Sequence, residues 1–262
     1  MTRARLQEIA GLARRKERAR LGQFLVEGVR SVEAAVAAGA PLVEVLVAVE
    51  AADEPRVAAL LAGAEVPVHR LPARDLARVS DAQHGQGLVA VARSVTVDLG
   101  ADPHAFEAAH RIVALDGVQD PGNVGTVIRT AAWFGAEAVL AGAGTADLES
   151  PKVVRSAMGG LWDVRLARTD DLSAALVVLR ALGFAVQGAD LDGVPLVEWA
   201  PPERGVLVLG SEAQGLSDAV RARLDARVAI SGGEGTSGVE SLNVGVAAGI
   251  LLHHWRHASG GR

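Results

Sequence analysis

The chain has 262 residues, enough for one large or two ordinary domains with hydrophobic cores, and 50% of them are apolar. It contains no cysteine, which excludes disulfides, thiolate metal sites and cysteine nucleophiles. No apolar run reaches the roughly 18 residues that a membrane span needs, and the N-terminus lacks the apolar stretch of a secretory signal. We therefore expect a cytoplasmic protein without contact to a membrane.

The net charge of −5 is unevenly distributed along the chain. Residues 1–30 carry eight basic and three acidic side chains, so this segment has a charge of +5 and the remainder −10. Five of the basic residues lie close together, in what we predict to be an exposed patch: Arg14, Arg15, Lys16, Arg18 and Arg20. This asymmetry indicates either a surface for a polyanion or a solvated helix face, and charge alone does not choose between them.

The first part of the chain alternates between helical and extended patterns, with Gly, Pro or Asp at the turns. The predicted helices cover residues 6–12, 29–38, 54–63 and 73–79. The predicted strands cover residues 23–28, 42–49, 66–71 and 87–92. Residues 1–94 thus form a small α/β domain without an evident catalytic constellation, and residues 95–106 are predicted to be a linker.

The second part, residues 107–262, has a similar alternation with longer apolar strands. The predicted strands cover residues 112–115, 138–141, 184–187, 206–209 and 228–230. The predicted helices cover residues 124–134, 151–158, 171–182 and 244–252. Strands and helices in this order favour a parallel sheet with right-handed crossovers and helices on both faces.

Three polar segments of this second domain each follow directly after an apolar strand. They are residues 116–129, 210–215 and 231–243. If the preceding strands are parallel neighbours, all three segments meet at the carboxyl edge of the sheet, where open α/β sheets bind ligands. We predict the functional site at this edge.

Two polar residues stand where the last apolar helix begins, Ser241 and Asn243. Ser241 has the side chain of an ordinary helix cap. Asn243 leads directly into an apolar run, where an unpaired amide costs about 1–3 kcal/mol. The amide must therefore be satisfied by the backbone or line a site.

The loop Gly233-Glu-Gly-Thr-Ser-Gly238 matches the dinucleotide-binding fingerprint between a strand and a helix. Only 24 residues follow Gly238, and the apolar helix occupies most of them. No second strand remains for the acidic residue that would hold a ribose, so the βαβ unit is incomplete. A nicotinamide-dependent enzyme is therefore a disfavoured alternative.

Three segments together resemble the ordered motifs of one family: residues 123–129 (NVGTVIR), residues 210–216 (GSEAQGL) and residues 239–247 (VESLNVGVA). The family is that of the SpoU, or TrmH-type, RNA 2′-O-ribose methyltransferases of the SPOUT superfamily. Residues 22–30 and 85–90 also resemble the substrate-binding domain of that family, so the similarity extends over the whole chain.

This resemblance implies S-adenosylmethionine as the methyl donor and no metal. It implies a ribosomal-protein-like N-terminal domain that binds RNA, and a C-terminal domain whose parallel sheet carries a deep trefoil knot. It further implies a homodimer that forms through the C-terminal domain. The chain departs from the family at Ser231-Gly232, where a Pro and an apolar residue are usual, and its loop is about three residues longer and rich in glycine, which raises the cost of ordering it around a donor.

The resemblance also assigns individual residues. The implied catalytic residues are Asn123, Arg129, Glu212, Ser241 and Asn243. The implied donor-binding residues are Leu209, Gly210, Ile230 and Leu242. A ribose hydroxyl is a weak nucleophile, so its proton must be drawn away and its developing charge stabilised.

Arg129 suits charge stabilisation and phosphate positioning better than proton abstraction, because a guanidinium stays protonated. Ser241 and Asn243 would orient the hydroxyl and the arginine, and Glu212 would hold the network. Taken singly, however, Arg129 is also explained by an ion pair with Asp116 or Asp120, and Glu212 by a helix cap.

The implied substrate is structured RNA, recognised by shape and backbone. A separate basic N-terminal domain favours ribosomal RNA over transfer RNA. The alternatives that remain open are a transfer RNA 2′-O-methyltransferase and a non-catalytic RNA-binding protein of the same fold.

Overall fold

The chain folds into two α/β domains, each built on its own sheet. The structure, a computed structural model, describes residues 1–80, 86–102, 104–233 and 241–258. No helix within these ranges has the length and apolar character that crossing a bilayer requires.

The N-terminal domain has a four-stranded sheet in the order β1-β4-β2-β3. β4 is antiparallel to β1 and β2, and β3 pairs parallel with β2. The strands are β1 (Gln23–Glu27), β2 (Leu42–Ala48), β3 (Val68–Leu71) and β4 (Leu88–Arg93). The helices are α1 (Arg3–Gly11), α2 (Arg15–Leu21), α3 (Val29–Ala37), α4 (Pro55–Ala62) and α5 (Ala73–Leu76).

The C-terminal domain has a seven-stranded parallel sheet in the order β11-β9-β10-β6-β7-β8-β5. Its strands are β5 (Val97–Asp98), β6 (Arg111–Asp116), β7 (Ala138–Ala141), β8 (Arg165–Arg168), β9 (Ala185–Pro195), β10 (Gly205–Gly210) and β11 (Ala226–Ala229). Its helices are α6 (Pro121–Trp133), α7 (Pro151–Ala157), α8 (Leu172–Ala181), α9 (Asp218–Arg221) and α10 (Val244–Ala258).

The central strands are apolar on both faces, as a sheet covered by helices on both sides requires. The four residues 112–115 of β6 and the four residues 138–141 of β7 are all buried. Their side chains divide between two hydrophobic clusters, one on each face of the sheet. The predicted α/β class and parallel sheet are confirmed.

Two strands were not predicted from the sequence, β5 and β8. β8 has the sequence Arg-Leu-Ala-Arg, with only two buried residues between charged ends, so its periodicity is too short to recognise. β5 lies in the segment 95–106 that was predicted to be a linker. β5 and Phe106 in fact belong to the C-terminal domain, because β5 pairs with β8 and Phe106 is in the domain core.

The trefoil knot stays a prediction, because its threading depends on residues 234–240, which lie outside the described residues. The same is true of the departure from the family in the loop after Ile230, of which only Ser231, Gly232 and Gly233 are described. The resemblance of the N-terminal domain to ribosomal proteins is also still a prediction.

Candidate active site

The described residues of the three polar segments meet at the carboxyl edge of the parallel sheet, as predicted. β6 and β10 are neighbours at this edge, and Asp116 lies opposite Gly210. β11 is separated from β10 by β9. The edge contains a cavity of about 350 Å³. Six of the predicted site residues line it: Leu209, Gly210, Glu212, Ile230, Ser241 and Leu242.

The floor of this cavity depends on the absence of a side chain at Gly210. A Cβ built at this position would lie 2.2 Å from the carbonyl carbon of Gly215. The two backbones approach because Ser211 and Gly215 exchange a pair of hydrogen bonds of 3.0 and 2.9 Å. Gly215 has a φ of +65°, which favours glycine. At this point the cavity is therefore lined by the closely packed backbones of Gly210 and Gly215.

One wall of the cavity contains an ion pair that the sequence did not indicate. Residues 189–193 of β9 leave the ladder with β11, and Asp190 lies in this excursion. Its carboxylate, in a side chain only 6% exposed, forms an ion pair with Arg221, with Oδ2 2.9 Å from Nη1. Arg221 Nε donates in turn to the carbonyl of Leu216 at 3.1 Å. Arg221 therefore ties this wall to the loop that follows β10.

A chain of amide hydrogen bonds connects the three motifs. Asn243 Nδ2 donates to Asn123 Oδ1 at 3.0 Å, and Asn123 Nδ2 donates to a carboxylate oxygen of Glu212. The three residues are distant in sequence and come from the loops after β11, β6 and β10. The structure thus brings together three of the five predicted catalytic side chains and places Ser241 in the adjoining cavity.

Asn243 is the N-terminal cap of α10. Its Oδ1 accepts from the backbone N–H groups of Gly245 at 2.9 Å and Val246 at 3.3 Å. The sequence left two explanations open for Asn243, a bond to the backbone or a place in a site. Both hold, because its Oδ1 accepts from the backbone of α10 while its Nδ2 donates to Asn123. The suggestion that Ser241 caps this helix is wrong, since the helix begins at Val244.

Asn123 is oriented by the first turn of α6. Pro121 stands at the start of this helix, and Asp120 caps it by accepting from Asn123 N at 2.9 Å. Two hydrogen bonds hold the pKa of Asp120 below its usual value, first the one from Asn123 N and second the one from Lys152. The contribution of Asp120 to folding stability is therefore fully present above the pKa that this carboxyl has in the unfolded chain, and it is lost as the pH falls through the lower pKa of the folded state.

Arg129 is not part of this cluster. It lies six residues after Asn123 on α6, about 9 Å further along the helix axis, and is exposed. The suggested ion pairs are absent, because Asp120 pairs with Lys152 at 3.1 Å and Asp116 accepts from Ser217 N at 2.7 Å. Within the described part of the chain, no carboxylate forms an ion pair with Arg129.

The predicted basic patch needs one correction. Arg14, Arg15, Lys16 and Arg20 are exposed on or next to α2, but Arg18 is 6% exposed and points into the protein. Its guanidinium donates to the carbonyls of Leu12 and Ala13 and to Asp147. The helix turns this one residue inward because position 18 lies on the face that packs against the rest of the fold, so Arg18 does not belong to the exposed patch.

No group of three or more His, Asp or Glu side chains suited to a metal ion occurs in the ranges that the structure describes. The absence of a metal from the reaction stays a prediction.

Comparison with known proteins identifies both domains. Residues 110–253 match the SpoU rRNA Methylase family, and residues 3–90 match the MRM3-like substrate binding domain. The 23S rRNA (guanosine(2553)-2′-O)-methyltransferase RlmP of Bacillus subtilis is 33% identical over 244 residues, which are 92% of this chain and 92% of that protein.

Solved structures give the same result. The SpoU methyltransferase AviRb from Streptomyces viridochromogenes, in complex with AdoMet, has a TM-score of 0.87 and 28% identity, with 100% of each chain covered. An AdoMet-bound rRNA methyltransferase from Sinorhizobium meliloti has a TM-score of 0.83 and 25% identity, covering 98% of this chain and 95% of that one. The chain therefore belongs to the SpoU rRNA methylase family, with a substrate-binding domain of the MRM3-like type before its RNA methyltransferase domain.

Proposed function

We propose that this protein transfers a methyl group from S-adenosylmethionine to a ribose 2′-hydroxyl of ribosomal RNA, at the carboxyl edge of the seven-stranded sheet. The observation that carries the proposal is the convergence of all three motifs there. The Asn243–Asn123–Glu212 chain adjoins a cavity lined by all four predicted donor-binding residues. Action on ribosomal RNA is consistent with a cytoplasmic location.

The backbone around Gly210 and the side chains of Leu209, Ile230 and Leu242 would hold the donor. When bound, S-adenosylmethionine supplies an electrophilic sulfonium methyl group. The protein would orient the hydroxyl in line with that methyl and stabilise the charge that develops on the oxygen, while the proton of the hydroxyl would pass to solvent.

Asn123 and Asn243 are suited to orientation, because each is fixed by hydrogen bonds. Asn243 is held by the start of α10, and Asn123 lies between Asn243 and Glu212. Ser241 lies in the cavity lining and would contact the ribose hydroxyl. Glu212 is an acceptor that fixes the amide orientation of Asn123, and this in turn fixes that of Asn243.

Arg129 lies outside the Asn243–Asn123–Glu212 chain and would act in the site of a second copy of the protein. It stands on α6 one turn before Trp133, which is 83% exposed, and the adjoining helix α10 carries Val246, which is 52% exposed. Large apolar side chains on adjoining helices are typical of an oligomer interface. We propose a homodimer through these two helices, in which Arg129 of one copy stabilises the developing charge in the site of the other.

The exposed residues Arg14, Arg15, Lys16 and Arg20 form the proposed contact with the RNA backbone. They lie in the domain that matches the MRM3-like substrate binding domain. Phosphate contacts of this type fix the position of a nucleic acid and weaken as the salt concentration rises.

Calorimetric titration with S-adenosylmethionine tests the donor site without the RNA. We expect saturable binding at one site per chain. The variant Gly210→Ala should weaken binding by about 1–3 kcal/mol, a 5- to 150-fold increase in Kd, because the added methyl displaces Gly215.

Gly63→Ala is the matched control for this titration. Gly63 has a φ of −91°, and its nearest Cβ contact is the carbonyl of Leu60 at 3.8 Å, so the change should leave donor binding intact. Absence of donor binding to the folded wild-type protein would favour the non-catalytic RNA-binding protein.

A further inference from the structure

The contact between the two domains contains charged groups that are almost fully buried. Arg18 of the N-terminal domain is 6% exposed, and Glu149 of the C-terminal domain is 7% exposed. Burying a charge carries a desolvation penalty, and well-packed apolar residues often hold an interface equally well. Such buried charges are therefore weak evidence for a role in stability, and the geometry of their hydrogen bonds shows what they hold in place.

Glu149 holds the chain at the point where it leaves the N-terminal domain. Its carboxylate accepts from the hydroxyls of Ser94 and Thr96 at 2.9 Å, from Val95 N at 2.8 Å and from Thr96 N at 3.0 Å. Ser94 N donates in turn to the carbonyl of Gly22 at 2.8 Å, directly after α2. The segment that would act as a hinge is thus anchored on both sides.

Arg18 anchors α2 itself. It donates to the carbonyls of Leu12 at 2.8 Å and Ala13 at 2.9 Å, which lie between α1 and α2, and to Asp147 at 2.6 Å. The same helix presents Arg15, Lys16 and Arg20 to solvent. The bond to Asp147 therefore fixes the direction in which the exposed basic residues point.

Asp147 and Glu149 belong to the loop between β7 and α7, and this loop is bonded to the segment that leads to the active site. Thr145 Oγ1 donates to the carbonyl of Leu115 at 3.0 Å, and Ala146 N donates to the carbonyl of Val118 at 2.9 Å. Leu115 is in β6, and the residues that follow it lead to Asn123. Hydrogen bonds at Asp147, Ala146 and Thr145, with the backbone between them, thus connect α2 to the segment that leads to Asn123.

Apolar contacts also form part of the same interface. Phe24 of β1 stacks on Trp162 at a centroid distance of 5.9 Å. A Cβ at Gly159 would lie 2.8 Å from Cβ of Ala34, so α3 packs directly on the backbone before that tryptophan. One hydrophobic cluster contains buried residues of both domains.

We propose that Arg18, Asp147 and Glu149 are positioning residues, which hold the RNA-binding face of α2 in a fixed orientation to the active site. This inference rests on the proposed function. If the domains move freely, only a fraction of the molecules presents both surfaces to one RNA at a time, and the apparent affinity falls by that fraction. Molecules that have bound correctly react at the normal rate.

The test compares Glu149→Ala and Arg18→Ala with the wild-type protein, using an unmodified ribosomal RNA transcript and S-adenosylmethionine. We expect KM for RNA to rise by about tenfold, with kcat and the Kd for S-adenosylmethionine within about twofold of wild type. Arg56→Ala is the control, because it removes an ion pair with Glu33 inside the N-terminal domain.

Should Glu149→Ala fail to fold, Ser94→Ala with Thr96→Val removes only the two hydroxyl donors and keeps both backbone N–H groups on Glu149. It should raise KM in the same direction by a smaller factor. An unchanged KM for RNA in folded variants would overturn the proposal, as would equal losses in donor affinity.

Proteolysis separates this proposal from the proposed function, because it needs no RNA. Release of residues 94–96 should accelerate tryptic cleavage after Arg93 in Glu149→Ala, compared with wild type and Arg56→Ala. Faster cleavage in a protein that methylates no RNA would support the fixed domain contact while contradicting the proposed function. Unchanged cleavage would overturn the positioning role, whatever the wild-type activity.

Discussion

Arg129→Ala is expected to lower kcat for RNA methylation by about 10²- to 10³-fold, the usual cost of removing one group that stabilises developing negative charge. The Kd for S-adenosylmethionine should stay within about twofold, because Arg129 is not among the residues that line the donor cavity. Steady-state kinetics and calorimetry measure the two quantities separately.

Arg129→Lys distinguishes charge from geometry at this position. Lysine keeps the positive charge but lacks the planar fork of donors, so we expect an activity between those of wild type and the alanine variant. A kcat for Arg129→Ala within about fivefold of wild type would remove Arg129 from the catalytic set, since it is far smaller than the effect expected for such a group.

Mixing two inactive variants should restore activity if Arg129 acts in the partner's site. In a dimer of Arg129→Ala with Asn243→Ala, one site has both altered residues and the other has neither. After random exchange of equal amounts, about a quarter of all sites are intact, so about a quarter of the wild-type rate is expected.

Each variant mixed with itself is the control and should remain inactive. If Arg129 acts within its own chain, every site in the mixture carries one alteration, and no activity returns. Size-exclusion chromatography with light scattering of the wild-type protein must also show a dimer, since the whole arrangement depends on it.

Most of the candidate site could be predicted because parallel strands converge at one edge. The three polar segments follow β6, β10 and β11, and this pattern predicts that the segments converge, while the choice of Asn123, Glu212 and Asn243 within them came from the resemblance to the family. The sequence also predicted that the side-chain amide of Asn243 is hydrogen-bonded, since a polar amide before an apolar helix must find partners. The structure provides two backbone donors and Asn123.

The features that escaped prediction depend on contacts between distant residues. In the sequence, Arg18 is one of several arginines in a basic run. Its side chain points inward because of the way α2 packs against the rest of the fold, which the sequence does not show. Its partner Asp147 is 129 residues away. Glu149 and Asp190 likewise have no local pattern, because a buried carboxylate is recognised only by the donors that the fold brings to it.

β8 and the supposed linker show the corresponding limit for secondary structure. The four residues of β8 include two arginines and show no alternation of apolar and polar residues that would predict a strand. β5 has only two residues, which is too short for any alternation. β8 is a strand because it pairs with the edge of β7, and β5 pairs in turn with β8, so the sheet determines the conformation of both segments.

The most direct test of the central claim is the chemical position of the transferred methyl group. Ribosomal RNA transcribed without modifications would be incubated with the protein and methyl-labelled S-adenosylmethionine, and then hydrolysed in alkali. Alkaline cleavage needs a free 2′-hydroxyl, so methylation there should leave the label in alkali-resistant dinucleotides. Label in mononucleotides, which indicates base methylation, or no label in the presence of bound donor and bound RNA, would contradict the account.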